Sequence, residues 1–347
     1  MEKTTRRLWK ANVTIGLDLG DKRHTFFCAR QSWRGPKEGL ATQRAQRACK
    51  AGKCIPGGHG GRNHSPWISR FLDSLGMEVV VANPRKTRTI SQSERKSDER
   101  DALVLARLGR ADRNLLNPAV HGSEEAQHDL LQTKLRDNLV RARVAVINSV
   151  RFTLKSLGYR VSNPSSERFH KLVMEEVPGS VGALIAHGVA SIAELTARIK
   201  ALEVSIARLA TEKYPQTIYL QQVSGVGPIT SLYFVLKIEK PQRFKRTRDI
   251  GAFVGLWPKR DQSGDKELRI SKCGDQYLRC LLVNAAQYIL GPFGTDSALR
   301  EHGLRLAQEG TARAKKRAVV AVARKLAVLL LTLWKSREPY ESFPTMA

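Results

Sequence analysis

Two stretches of helical periodicity constrain the fold of this chain more than any other feature. Across 121–158, Leu131, Leu135, Leu139, Ala142, Val146, Val150, Leu154 and Leu157 recur every three or four residues. Ser123 stands at the N-cap position of that stretch and Gly158 closes it. Across about 190–213, Leu195, Ile199, Leu202, Ile206 and Leu209 alternate spacings of four and three, a heptad seam. Pro164 and Pro178 lie between the two. The pattern predicts two long helices that pair, within one chain or between protomers. Arg136, Arg141, Arg143 and Arg151 make the first helix basic, which fits either a solvated face or a nucleic-acid track.

The first hundred residues read differently. VTIGLDLG (13–20) is a buried strand carrying Asp18 near its end, and HTFFCA (24–29) is a second strand across the polar turn Gly20–Arg23. Asp18 is either a turn-former at a strand end or a carboxylate placed for a metal. SPWISRFLDSLG (65–76) is an amphipathic helix with Ser65 as cap and Pro66 in the first turn. Gly76 ends it, and Trp67, Ile68, Phe71, Leu72 and Leu75 form its expected buried face. MEVVVANP (77–84) reads as a strand stopped by Pro84, which makes a helix–strand unit of an α/β domain. In SERKSDERDALVLARLGR (93–110), Asp98 and Asp101 are three apart at a helix start, so they share a side. They can cap the helix and complement its dipole, or join Asp18 in holding a divalent cation through hard oxygen ligands.

Residues 29–63 break the pattern. Only Leu40 and Ile55 come from the large aliphatic and Phe set, and eight Lys or Arg stand against Glu38 alone. No amphipathic period survives, so the segment reads as loop or disorder. Cys49, Cys54, His59 and His64 fall at intervals of five, but that spacing matches no standard zinc finger, and glycine pairs flank His59.

In the last third, Gly225-Val226-Gly227-Pro228 precedes a helix. A tight glycine turn feeding a helix N-terminus offers backbone N–H groups to phosphate, as in helix–hairpin–helix DNA binders, and a plain helix connection fits equally. TRDIGAFVGLWP (247–258) reads as a short apolar helix stopping at Pro258, and DQYLRCLLVNAAQYIL (275–290) as a longer helix capped by Asp275. The loop between them presents Ser263, Arg269, Ser271 and Lys272, with Gly264 and Gly274 as its flexible points. A hydroxyl followed by cations suits attack on a phosphodiester, while a solvated loop needs the same residues. TARAKKRAVVAVARKL (311–326), with Lys315 and Lys316, is a basic helix with an apolar back.

Charge narrows the partners. Lys and Arg number 59 against 32 Asp and Glu, net +27, with a pI near 10.3. Such a field favours a polyanion, and nucleic acid leads. A membrane is disfavoured: the N-terminus has no signal-peptide core, and Arg324 and Lys325 break the apolar run 318–334. Five scattered cysteines suit a reducing cytoplasm, here beside the nucleoid.

The motifs IGLDLG, HSPWISRFL, VVVANPRK, RKSDERDA, VSGVGPIT, GLWPKRDQSG, RISKCGDQYLR, YILGPFG and AKKRAVVAVARKLAVLL occur in this order. Together they resemble the DEDD-type insertion-sequence transposases of the IS one-ten / eleven-eleven family, nearer the eleven-eleven branch, over nearly all of the chain except 29–63. The resemblance implies α/β plus α architecture in three parts. These are a RuvC-like (RNase H-like) domain over 12–115, a helical coiled-coil region over 121–215, and a mostly helical transposase domain over 220–340.

It also implies DNA strand cleavage and rejoining. An acidic tetrad binds Mg²⁺ in a two-metal-type site, and a serine forms a phosphoserine–DNA link. Asp18 matches the first Asp, Asp98 and Asp101 the last two, and Ser263 the nucleophile. Implied nucleic-acid contacts fall on Gly225, Gly227, Arg269, Lys272, Lys315 and Lys316. Implied partners are the element's DNA ends and target, an element-encoded guide RNA, and further protomers in a dimer or tetramer. The tetrad's Glu has no counterpart, because its place falls on Gly60. A pair of compensating frameshifts over about 29–63 would explain the break. The chain would then be a defective copy that binds DNA or RNA without cutting.

Overall fold

The structure, a computed structural model, describes residues 13–19, 24–29, 52–57, 65–83, 97–260 and 267–343. It divides into two compact units, 1–121 and 122–347. Among the described residues the chain is mostly helical, with one small mixed sheet in the first unit and a two-stranded ribbon in the second.

In the first unit β1 (Val13–Leu19) is the central strand. β2 (His24–Ala29) pairs with it antiparallel and β3 (Gly52–Gly57) parallel. β3 falls inside the segment expected as loop or disorder, so that reading is corrected for these six residues. Their GKCIPG sequence carries no alternation for the eye to catch, and what places them is main-chain pairing along β1. The rest of 29–63 lies outside the described residues.

Helices cover both faces of this sheet. Ile15 and Leu19 point toward α1 (Ser65–Ser74) and pack with Ile68, Leu72 and Met77. The opposite face meets α2 (Asp98–Ala111). Two expectations fail here. Trp67 and Phe71 are exposed, stacked on each other with ring centroids 5.9 Å apart, because Ile68, Leu72 and Leu75 already fill the sheet-facing stripe. Residues 77–83 form no continuous strand among the described residues, where Val81 makes an isolated bridge to Ala119. Val80 and Ala82 are buried all the same, against Leu105 and Leu116.

The second unit is built on α3 (Glu124–Ser156) and α4 (Gly179–Glu212), which pair within the chain. Ser123 caps α3, and Gly158 follows it with φ +86°. Ile147, Val150 and Leu154 of α3 meet Val189 and Ile192 of α4. The buried stripe of α3 runs through Leu130, Ile147, Val150 and Leu154, which leaves Leu131 and Leu135 exposed. A helix with apolar residues at both 130 and 131 offers two overlapping stripes, and packing against α4 selects one. Among the described residues, α4 is long and apolar enough to cross a membrane by length and composition, though Ile192, Ile199 and Ile206 are buried in this unit.

The rest of the unit packs α5 (Pro228–Ile238), α6 (Gln276–Leu290), α7 (Ala298–Ala307) and α8 (Ala312–Ser336) into one core. Leu232, Phe234, Leu282, Ala286, Leu326 and Leu330 are fully buried there. The segment 247–253 coils into a 3-10 turn and a single helical turn, and Pro258 opens a strand. That strand, β4 (Pro258–Arg260), pairs antiparallel with β5 (Glu267–Ile270), so the expected loop is a ribbon at its base.

Candidate active site

Alternation along β1 sorts its side chains. With Ile15 and Leu19 turned to α1, Thr14, Gly16 and Asp18 turn to the face under α2. Gly16 is required there: a Cβ on it would overlap the carbonyl oxygen of Ala102 and come within 2.7 Å of the Ala106 nitrogen. Asp18 sits two residues further on the same face, 8% exposed. Its backbone neighbours are Thr25 of β2 and Gly57 of β3.

The helix that covers this face begins with acids. Ser97 caps α2 by accepting the Arg100 N–H at 3.3 Å, and Asp98, Glu99 and Asp101 fill the first turn, where they complement the helix dipole. Asp98 and Asp101 lie one turn ahead of Ala102 and Leu105, which are buried, so they extend the packed stripe beyond its apolar part. Asp98 is exposed and Asp101 half-buried.

The structure thus puts Asp18 under α2 and the other two aspartates at the start of α2. It does not gather the three. Among the described residues no group of three or more His, Cys, Asp or Glu could hold a metal ion. The carboxylates are the right ligand type for a hard divalent cation, but their arrangement does not fit a Mg²⁺ site. Gly60, the Cys/His set at 49, 59 and 64, and the side chain of Cys54 lie outside the described residues.

In the second unit Ser263 also lies outside the described residues, within the 261–266 connection between β4 and β5. The base of that ribbon is fixed by close backbone packing. Gly255 (φ +75°) has no room for a Cβ, which would come 2.8 Å from the Cys273 nitrogen. Gly274 (φ +98°) abuts Phe253 in the same way, at 3.1 Å from its carbonyl carbon. The Lys272 N–H donates to the Gly255 carbonyl at 3.1 Å, and Lys272 itself holds φ +51°. Arg269 belongs to β5.

Asp275 ties this base to the core. Its carboxylate accepts the Leu278 N–H at 2.9 Å, as the cap of α6, and also the Tyr233 hydroxyl at 3.0 Å. The Lys237 ammonium pairs with it at 2.9 Å. Burial works against the charged form, yet the Lys237 charge and these hydrogen bonds outweigh it and hold the Asp275 carboxyl below the usual carboxylate range. Burial, with the Asp275 charge added, pushes the Tyr233 hydroxyl well above its ordinary range. The sequence reading found Asp275 as a cap and missed its two partners. Their signal was a Tyr and a Lys within the mainly apolar helix 228–238.

Trp257 was also missed, read as part of a short apolar helix. It is 41% exposed at the foot of β4, with the Arg324 guanidinium 5.6 Å from its ring.

The other nucleic-acid candidates stand as follows. Gly225 (φ +83°) is a packing glycine, with the Ala285 carbonyl oxygen 3.0 Å from where a Cβ would lie. Gly227 faces open space just before Pro228, the first residue of α5. Lys315 and Lys316 are exposed in the first turns of α8.

The basic face of α3 is not a free track. Arg136 pairs with Glu203, and Arg141 with Asp137 at 2.9 Å. Arg143 is buried with Thr196, and Arg151 lies over the Phe169 ring at 5.0 Å. Of these contacts, those to Glu203 and Thr196 cross to α4 and serve the helix pair.

Comparison with known proteins then fixes the class. A DEDD-type model described as "Transposase" matches residues 36–158, starting within the segment that the sequence reading set aside. A second model, "Transposase IS116/IS110/IS902 family", matches residues 218–297, which include Ser263. The chain is similar to the transposase for insertion sequence element IS1111A of Coxiella burnetii, 28% identical over 97% of this chain and 94% of that protein. It is similar to the transposase for IS1328 of Yersinia enterocolitica, 27% identical over 80% of this chain and 84% of that protein. The pilin gene-inverting protein of Moraxella bovis is 22% identical over 79% of this chain and 78% of that protein.

The class is therefore the transposases and recombinases, enzymes that rearrange DNA. Within it, the chain belongs to the IS110 family of DEDD-type insertion-sequence transposases.

Proposed function

We propose that this transposase cuts and rejoins DNA strands through a covalent link at Ser263, and that its first unit is a RuvC-like domain. The observation that carries the fold reading is the surroundings of Asp18. It is a buried carboxylate near the end of a central strand, flanked by one antiparallel and one parallel neighbour, on the face covered by a helix that starts with Asp98 and Asp101.

The chemistry balances without an external energy source. The Ser263 hydroxyl attacks phosphorus, its proton leaves to a base, and the bond to the departing strand breaks to leave a free hydroxyl end. A hydroxyl of the incoming strand then attacks the phosphoserine and releases the serine. One phosphodiester is lost and one gained. The basic field of the chain holds the polyanion during this exchange. Divalent-metal dependence, with Mg²⁺ as the ion, belongs to the family reading. Because the described carboxylates do not fit that ion, no step above is assigned to it.

The DNA partners in this reading are the element's ends and its target, selected with an element-encoded RNA by a dimer or tetramer in the cytoplasm. A second reading is favoured by one observation: β3, the strand beside Asp18, carries no acid from Gly52 to Gly57. On that reading the chain is a copy that binds but does not cut.

Strand exchange on the element's ends with Mg²⁺, read on a denaturing gel for a protein–DNA adduct, separates the two. An adduct lost in Ser263→Ala supports the enzyme. Binding without adduct supports the defective copy. Cleavage that survives Ser263→Ala overturns the serine mechanism in favour of attack by water.

A further inference from the structure

We propose that Trp257, held against Arg324, stacks an unpaired nucleobase of a DNA strand bound at the β4–β5 ribbon. The proposal rests on the DNA-handling reading above. The other tryptophan of this unit, Trp334, is buried beside Phe234, whereas Trp257 is left 41% exposed.

The ring is not loose. The Trp257 carbonyl accepts the Ser271 N–H at 2.9 Å, which ties its backbone to the other strand at the base of the ribbon. Leu256, just before it, is 1% exposed and anchors the segment in the core. Arg324 is positioned too: its stem fills the space beside Gly251, where a Cβ would come within 3.1 Å of the arginine Cγ. The guanidinium is thereby set over the indole, with 5.6 Å between them.

A fixed aromatic ring with a cation beside it is the arrangement that single-stranded nucleic acid uses. The ring stacks a base of any identity, and the cation draws the adjoining phosphate. Location supports the assignment. Ser263 is six residues downstream of Trp257, so the two Cα atoms cannot be further apart than about 21 Å. A base stacked on Trp257 is thus within a few nucleotides of a phosphate at the serine.

The test measures binding of the full chain to labelled oligothymidylate and to an abasic oligomer of equal length, at fixed salt. The abasic strand keeps the phosphates and lacks the bases. The expected result is that the natural chain prefers oligothymidylate by between about fivefold and a hundredfold. Trp257→Ala should erase most of that preference and Trp257→Phe should keep most of it. Lys315→Ala should weaken both oligomers alike. Thermal unfolding of each variant reports whether it is folded, and the Phe variant preserves the test if the Ala variant is not. A preference unchanged in Trp257→Ala, or already lost in Trp257→Phe, overturns the stacking site while leaving the DNA-binding reading intact. Failure of the natural chain to bind either oligomer overturns both.

Discussion

Gly16 of β1 lies so close beneath Ala102 of α2 that any side chain at position 16 would enter the helix backbone. The obstacle is a carbonyl and an amide nitrogen, not the tip of a flexible side chain, so it cannot move aside cheaply. Gly16→Ala should destabilise the first unit by at least the upper part of the about 1–3 kcal/mol typical of overpacking. Hydrogen exchange checks this. Amides of β1 and of 98–111 should exchange faster in the variant, and those of 228–238 should not. Unchanged exchange in β1 would show that the helix does not sit on Gly16.

Asp275 should matter as much to folding as any apolar residue near it. Asp275→Ala removes the cap of α6 and leaves Tyr233 and Lys237 without their acceptor. A loss of about 2–4 kcal/mol is expected from denaturant unfolding. The pH dependence has a definite sign. Partners hold the folded carboxyl below its ordinary range, so its contribution is complete above the unfolded value of about 3.9 and disappears as pH falls through the lower folded value. The natural chain should therefore lose stability below about pH 4, and Asp275→Ala should show a flatter acid limb.

Ser263→Ala should abolish covalent adduct formation while leaving DNA affinity within about twofold, since a hydroxyl contributes little to phosphate binding next to so many cations. Gel shift and adduct assays on the same preparations decide it. Equal loss of both would mark Ser263 as a structural residue.

Lys315 and Lys316 are exposed near the start of α8 and, among the described residues, neither forms an ion pair. If both touch phosphate, the double alanine variant should lower the slope of log affinity against log salt by about 1.8, at about 0.9 per contact. An unchanged slope would place the DNA elsewhere on the unit.

The gene itself supplies another test. Translating the other two frames across about 29–63 should yield, in one of them, an apolar strand ending in Glu shortly before Asn63. Neither frame yielding it would end the frameshift reading.

Punctuation residues were the legible part of this fold. Ser65, Ser123 and Asp275 start helices where the sequence places them, and Asp275 and Ser123 cap through their side chains. Which of two adjoining apolar stripes is buried was not legible. Leu130 rather than Leu131 faces the core of α3, and Ile68 rather than Trp67 faces the sheet from α1, because the partner surface makes that choice. β3 was illegible for another reason. Main-chain pairing, unlike side-chain burial, leaves no periodic mark in a sequence such as GKCIPG. Of the candidate site, the positions of Asp18 on a strand end and of Asp98 and Asp101 at a helix start were legible. That Gly16 sets the height of α2 over Asp18 needed the fold, since no local pattern distinguishes a packing glycine in a strand from a merely flexible one.

Gly255 and Gly274 each make way for the other's strand of backbone, like two notches cut to interlock. A join of that kind separates the segment between from everything behind it. Residues could be added to or removed from 261–266 without shifting where the ribbon leaves the core. Change within that segment is thus uncoupled from the core behind it, and the anchorage of the ribbon passes through unaltered.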